Sequence, residues 1–205
     1  MKLRFLKFFV LTFVIIFTVL NGRFVYANLK YWLLIGPLPI ATNEGGNKLP
    51  LSPERAIPKL PDQAILKIDS LGISAPIIFG AGGDLKNIYN SLEKGTVHYS
   101  GTPKPGMEGA SVILGHSSAY PWYKGQYGSV FALLGKLKPG DKFRVQYDNG
   151  ATFTFVIKQS IVFSPFSNDA RLTEIEKAPG SSVVLISCWP VGTNYKRIAI
   201  QAELI

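Results

Sequence analysis

A β-hairpin is evident in the stretch KFRVQYDNGATFTFVI, residues 142–157. Apolar and polar side chains alternate from Lys142 to Tyr147, which is the period of a strand with one buried face. Asp148-Asn149-Gly150 then favours a tight turn, since its residue types tolerate the backbone angles that turns require. The chain returns over Thr152–Ile157. We therefore predict two antiparallel strands here, with one face against a hydrophobic core.

Further strand-like runs lie on both sides of this hairpin. They are short, apolar and bounded by turn residues: Ala64–Ile68, Ile73–Ile78, Ser111–Leu114, Ser182–Ser187 and Arg197–Leu204. Helical segments are expected at Asp84–Leu92 with Asp84 as N-cap, at Ser129–Leu134 and at Leu172–Ala178. At least seven short strands with few helices predict an all-β fold, a closed barrel or a sandwich.

The N-terminal segment, residues 1–27, has the layout of an export signal. Basic residues within positions 2–7 precede Phe8–Leu20, which contains no charged residue. This run is short for a membrane span of about 20 residues, but snorkelling of the basic side chains can lengthen it. Val25-Tyr26-Ala27 offers a cleavage site. We predict a single-pass membrane anchor or a cleaved signal peptide, with the domain outside the cell in either case.

Composition divides the rest of the chain in two. Residues 28–61 begin as an apolar, aromatic segment suited to a membrane interface and continue as a linker rich in Pro, Gly, Asn and Lys. Residues 62–205 form the folded domain.

Composition also excludes several functions. Of the 22 basic residues, 18 lie beyond residue 27 against 13 acidic ones, and they are scattered, which argues against nucleic-acid binding. Two histidines and one cysteine, without clustered carboxylates, make a poor metal site. The chain has neither a glycine-rich phosphate loop opening a helix nor a G-x-S-x-G elbow. We predict no cofactor and no metal.

The single cysteine, Cys188, follows the apolar run Val183–Ile186 and precedes Trp189-Pro190, which ends the strand. Without a second cysteine the thiol is a packed apolar side chain, an intermolecular link or a nucleophile. A strand end presents a residue from a rigid support, as a nucleophile requires. Because a free thiol outside the cell is liable to oxidation, a mere packing role is disfavoured.

Two histidines compete for a chemical role. His116 leaves the apolar run Ser111–Leu114 in a setting like that of the cysteine, with Ser117 beyond it. His98 stands in a turn-rich stretch, where it can simply tie a loop down. We therefore favour His116.

Arg197 begins the last strand-like run. If that run pairs with Ser182–Ser187, Arg197 lies across the ladder from Cys188. Neighbouring imidazolium and guanidinium groups favour a thiolate, which can attack an amide carbonyl. His116 would protonate the leaving amine and Arg197 would donate to the oxyanion. Water or an amine would then resolve the thioester.

These residues resemble the signature of the sortases, cysteine transpeptidases of Gram-positive-type cell envelopes. Their T-L-x-T-C strand end corresponds to Val184-Leu185-Ile186-Ser187-Cys188, with the arginine of the next strand at Arg197. The spacing Cys-x-P-x-G-x-N-x-x-Arg is similar to that of the pilin-polymerising and class D or E branches. Valine and serine replace the two threonines here.

Two upstream stretches extend the resemblance. His98-Tyr99-Ser100-Gly101-Thr102 with Pro105-Gly106 resembles H-Y-x-G-T-x-x-P-G, and Ile113–His116 resembles the segment that carries the catalytic histidine. Ser117 stands where many members have arginine or threonine.

The resemblance implies a closed eight-stranded sortase-type β-barrel with a few short helices over residues 62–205, preceded by the transmembrane or signal segment. It implies Cys188 as nucleophile, His116 as general acid and Arg197 as oxyanion or substrate-positioning residue, with Ser187, Ser117 and His98 at the substrate site. The expected substrate is a C-terminal sorting signal such as LPxTG, joined after cleavage to an amine of a peptidoglycan precursor or a pilin lysine.

Two alternatives stay open. A cysteine endopeptidase could use the same three residues for hydrolysis alone. A non-catalytic β-barrel binding module of the envelope could hold Cys188 only as packing.

Overall fold

The computed structural model describes residues 2–20, 22, 26, 29, 60–82, 84–119, 123, 125–176 and 180–205. Within these residues the strands are β1 (Gln63–Ile68), β2 (Ile73–Ile78), β3 (Thr96–His98), β4 (Gly109–Leu114), β5 (Lys142–Tyr147), β6 (Thr152–Phe163), β7 (Ser181–Trp189) and β8 (Lys196–Leu204). The α-helices are α1 (Lys2–Leu20), α2 (Leu85–Leu92) and α3 (Ala170–Glu176). Short 3-10 turns occupy Asp69–Leu71 and Leu134–Lys136.

The eight strands of the described residues close into a barrel in the order β1-β2-β3-β4-β7-β8-β6-β5. The pairs β2–β3 and β4–β7 are parallel, and the other neighbouring pairs are antiparallel. The predicted closed eight-stranded barrel with few helices is therefore confirmed.

The hairpin β5–β6 forms as its sequence predicts. The Tyr147 amide donates to the Ala151 carbonyl at 2.8 Å, and Gly150 takes a left-handed φ of 86° that closes the three-residue loop. Phe143 and Phe155 pair across the two strands with ring centroids 5.3 Å apart. Aromatic cross-strand pairs of this kind fix the register of a hairpin.

The core lies inside the barrel, where alternate residues of each strand point inward. In β5 burial alternates strictly, with the even-numbered Lys142, Arg144 and Gln146 outside. The largest fully buried side chains of this core are Tyr147, Phe131, Phe143, Phe155, Leu66, Ile68, Ile113, Leu134, Ile157, Leu185 and Ile200. Phe131 and Leu134 come from the β4–β5 connection, which closes one end of the barrel.

Several predicted local elements differ from the structure in detail, including the last helix, which was predicted at Leu172–Ala178 and is found at Ala170–Glu176. α2 begins after Asp84, whose Oδ1 accepts from the Lys86 amide at 3.3 Å as an N-cap does. Ser129–Leu134 forms consecutive turns rather than a helix. β3 was not predicted, because three residues are too few to show an alternating pattern. β6 runs six residues past the predicted strand, to Phe163.

Two predictions concern the N-terminal part of the chain. The interfacial segment and linker at residues 28–61 lie almost wholly outside the described residues. The sequence predicts a membrane anchor within residues 1–27, but no helix in the described part of the chain is long and apolar enough to cross a membrane.

The parallel pairing of β4 with β7 determines which chain ends meet. Leu114 pairs with Ile186, so both strands leave the barrel at the same end. β8 is antiparallel to β7 and begins at that end, with Cys188 opposite Arg197. The end of β4, the end of β7 and the start of β8 therefore lie side by side.

We predict that Leu185→Ala lowers the free energy of unfolding by about 2–5 kcal/mol, because Leu185 is fully buried between β4 and β8 and its truncation leaves a cavity. Leu204→Ala, at the outer end of β8 with 36% of the side chain exposed, serves as the matched control. Urea unfolding followed by circular dichroism measures both. Equal losses for the two variants would contradict this account of the core.

Candidate active site

The backbone positions of Cys188, His116 and Arg197 lie at the barrel end where β4, β7 and β8 meet. Cys188 and Arg197 are direct partners in the antiparallel ladder. The Gly115 amide donates to the Ile186 carbonyl at 3.1 Å, which continues the β4–β7 ladder past the end of β4. Following this register sets His116 beside Cys188. The predicted proximity of Arg197 to Cys188 agrees with the ladder.

The three side chains share the outer face of the barrel. On β7, Leu185 and Trp189 pack in or against the core, so Cys188 points outward. Ile113 and Ile198 point into the core. By the same alternation His116, three residues after Ile113, and Arg197, which precedes Ile198, point outward. The Cys188 thiol is free and half-buried rather than sealed in packing. A free thiol that is only half-buried can react with another molecule.

Ser187 fastens the two strand ends together. Its buried hydroxyl donates to the Gly115 carbonyl at 2.7 Å, from β7 to the chain that leaves β4. Gly115 cannot be replaced by a larger residue without rearrangement, because a Cβ there would clash with the Phe131 ring. The Phe131 amide in turn donates to the His116 carbonyl at 2.8 Å. The backbone of His116 is thus held from both sides.

The His116 imidazole lies in a partly desolvated setting. The Tyr123 ring meets it edge-on, with centroids 5.6 Å apart and an interplanar angle of 81°. Burial lowers the pKa of His116 below its usual value, and the Glu93 carboxylate opposes part of this by raising the pKa. The imidazole is therefore mainly neutral at pH 7 and can accept a proton.

Arg197 also braces the loop between β7 and β8. Its Nη1 donates to the Asn194 carbonyl at 3.1 Å and to the Lys196 carbonyl at 2.9 Å. The Gly192 amide donates to Ser118 Oγ at 3.1 Å, which bridges this loop to the chain after His116. The loops that carry the three residues are therefore tied to one another.

His98 occupies a different kind of place. It ends β3 next to Ile113 of β4, with 6% of the residue exposed. Its Nε2 lies 2.9 Å from the Pro103 carbonyl oxygen and 3.2 Å from Thr102 Oγ1. Burial lowers its pKa as well. His98 thus lies in a strand rather than the predicted loop, and it fastens the β3–β4 connection.

Two serines predicted at the substrate site are buried beside the triad. The Ser187 hydroxyl already donates its hydrogen bond to the Gly115 carbonyl. Ser117 is 1% exposed, and its hydroxyl has no hydrogen-bond partner within the described residues. Their contact with a substrate stays a prediction.

An apolar strip leads to Cys188 along the outer face. It consists of half-buried side chains on β4 and β7: Val112, Leu114 and Ile186. At its far end α3 covers the face, where Ile175 packs with Ala110 and Val184. At its near side Leu114 packs against the cluster under α2. Val112 and Ile186 also pack partly against the cluster under α3.

The described residues contain no group of three or more His, Cys, Asp or Glu side chains able to hold a metal ion.

Comparison with known proteins identifies the family. A family model described as the sortase domain matches residues 66–205. The chain belongs to the sortase family. Sortases are cysteine transpeptidases that act in sorting proteins to the cell wall. The match spans every strand but the first residues of β1, and it includes Cys188, His116 and Arg197.

Individual sortases resemble this one at moderate identity. Sortase D of Bacillus subtilis (strain 168) is 26% identical over 168 residues, covering 80% of this chain and 73% of that protein. The crystal structure of sortase C-1 from Actinomyces oris matches with a TM-score of 0.55 and 29% identity, over 69% of this chain and 72% of that chain. A pilus-related sortase C of Group B Streptococcus matches with a TM-score of 0.55 and 26% identity, over 70% and 67%.

Sequence reasoning missed two neighbours of the sortase's His116. Tyr123 lies in a connection without periodic pattern, seven residues beyond the histidine. Glu93 directly follows α2 and is distant in sequence. The stretch after the histidine contains Tyr120, Trp122, Tyr123 and Tyr127, so the sequence alone gives no signal that singles out Tyr123.

We predict that both histidines titrate below pH 6.5 in NMR spectra, and that the free energy of unfolding falls as the pH falls from about 6.5. The pKa of each is lowered in the folded state, so the unfolded chain binds protons more readily in this window and stability is fully present above it. Glu93→Gln should lower the pKa of His116 further and leave that of His98 unchanged. A rise in the pKa of His116 in this variant would contradict the assigned environment.

Proposed function

We propose that this sortase is a cysteine transpeptidase that cleaves a C-terminal sorting signal of the LPxTG type through a thioester and transfers it to an amine of the cell envelope. The observation that carries the proposal is the register that pairs Cys188 with Arg197 and sets His116 on the adjacent strand. The half-open thiol favours this function over a binding module in which Cys188 only packs.

In the first half-reaction, His116 takes the thiol proton as Cys188 Sγ attacks the carbonyl carbon of the scissile amide. The new S–C bond pushes an electron pair onto the carbonyl oxygen, and the Arg197 guanidinium donates to this oxyanion. When the intermediate collapses, the C–N bond breaks and the imidazolium passes its proton to the leaving amine. The product is a thioester on Cys188.

In the second half-reaction, the neutral imidazole takes a proton from an incoming amine, whose nitrogen attacks the thioester carbonyl. The C–S bond breaks and the thiolate recovers the proton through His116. Water in place of the amine gives hydrolysis. Transfer wins where the amine is held at the site, and the acceptor class we propose is a peptidoglycan precursor or a pilin lysine.

The apolar strip supports a sorting signal as the substrate. An extended peptide laid over Leu114 and Ile186 reaches Cys188 two residues further along β7. Burial of one leucine side chain there contributes about 1.5–3 kcal/mol of binding. A motif that places an apolar residue a few positions before the scissile bond fits this spacing.

Sortases are associated with the cell envelope, and we propose that the barrel acts on its outer side. The basic start of the chain and the uncharged run Phe8–Leu20 have the order of an export segment. Retention of residues 1–27 would tether the protein as a single-pass membrane protein, and cleavage after Ala27 would release it. The intact mass of the native protein distinguishes the two.

We expect wild-type protein, incubated with an LPxTG-type peptide and triglycine or diaminopimelate, to yield a ligated product and a covalent acyl-enzyme in mass spectra. Cys188→Ala should form neither, because no thioester can form. Arg197→Ala should lower kcat/KM by about 10²–10³-fold. Free acid without ligated product would favour the endopeptidase, and cleavage by Cys188→Ala would refute the nucleophile.

The two histidines should separate in the same assay. His116→Ala should lower kcat/KM by about 10²–10⁴-fold with little change in Tm, since it removes the proton carrier. His98→Ala should retain much more activity but lose about 1–3 kcal/mol of stability, because it leaves the Pro103 carbonyl and Thr102 hydroxyl without their buried partner. The reverse pattern would exchange their roles.

A further inference from the structure

Tyr123 connects the end of α2 to His116. Its hydroxyl donates to the Leu92 carbonyl at 3.0 Å, at the last residue of α2. Its ring meets the His116 imidazole edge-on at 5.6 Å. One side chain thus spans from the end of a helix to the proposed proton carrier.

Gly125 leaves space for the Tyr123 ring. A Cβ at Gly125 would stand 2.5 Å from the Tyr123 Oη and 2.6 Å from its Cζ, so the ring folds over a position that only glycine leaves open. The ring occupies space beside the imidazole that water would otherwise fill. This is consistent with burial as the main influence on His116.

The end of α2 also brings a charge to the site. Glu93 follows Leu92, whose carbonyl accepts from Tyr123, and its carboxylate acts on His116. Other titratable or charged groups of the described residues near this end include Lys94 after Glu93, Cys188 on β7, and Lys196 and Arg197 on β8. Tyr123 thus contacts both the helix end that precedes Glu93 and the imidazole on which Glu93 acts.

We propose that Tyr123 is a positioning residue for His116: its hydroxyl is anchored on the end of α2 and its ring limits the imidazole to one orientation at the end of β4. The proposal rests on the proposed function in assigning His116 to proton transfer. Tyr123 acts through the histidine, since its hydroxyl is bonded to the Leu92 carbonyl and its ring meets the imidazole. Because proton transfer depends steeply on geometry, a freely rotating imidazole loses rate at the chemical step.

The experiment compares four variants by NMR titration of the imidazoles without substrate and by steady-state kinetics. Tyr123→Phe keeps the ring and loses the anchor, so the pKa of His116 should change little and kcat should fall about threefold. Tyr123→Ala admits water, so the pKa of His116 should rise toward 6.5 and kcat should fall about 10- to 100-fold at nearly constant KM. Gly125→Ala should displace the ring and change His116 in the direction of Tyr123→Ala. Tyr89→Ala, a tyrosine 61% exposed on α2, is the control and should change neither quantity.

His98 provides an internal reference, since it is buried against Phe79 and the β3–β4 connection rather than Tyr123. Its titration should stay constant in all four variants. A Tyr123→Ala protein whose His116 titration and kcat match the wild type would overturn the proposal, and so would equal shifts at both histidines, which indicate general loosening. Failure of the wild type to cleave any sorting peptide would refute the proposed function instead, while the substrate-free titration still decides whether Tyr123 positions His116.

Discussion

The parallel ladder between β4 and β7 is the constraint on which the site depends. Parallel neighbours run in one direction, so two strands more than seventy residues apart in sequence finish at the same level. The Ser187 hydroxyl and the Gly115 amide then add two bonds beyond the last paired residues. Without that ladder the histidine and the cysteine would have no reason to meet.

The antiparallel strand β8 completes the arrangement and follows β7 after only a short connection. The short connection after Trp189 returns Arg197 directly opposite Cys188. Carbonyls of that connection accept from the guanidinium, and Ser118 on the histidine side accepts from Gly192. Three separate segments thereby behave as one rigid rim, which suits a reaction in which several groups must be held in fixed relation.

Much of this fold could be predicted from residue patterns, because hairpins and caps are local. The alternation in β5, the turn at Asp148–Gly150 and the N-cap Asp84 each act within a few residues. The pairing of β4 with β7 has no such local signature, and β3 is too short to show one. Cys188, His116 and Arg197 could be proposed because each stands at one end of a strand-like run, whereas Tyr123 approaches His116 only through the folded connection.

The two histidines show how burial separates residues of one type. Both have their pKa lowered mainly by desolvation. His98 has its Nε2 at two neighbours in its own connection, while His116 stands on the outer face beside an aromatic edge and a carboxylate. Sequence context placed His98 in a loop and could not show that it is buried in a strand, with its ring bonded to the β3–β4 connection.

Side chains along β7 alternate between the barrel interior and the outer face, so neighbouring residues are under different structural constraints. Ser187 and Trp189 face inward, where side-chain volume limits substitution, whereas Cys188 faces outward and Ile186 packs on the outer side against the cluster under α3. Substitutions on the outer side need not open the interior of the barrel. A scaffold with its reactive groups outside its walls can acquire new peptide preferences while it keeps its architecture.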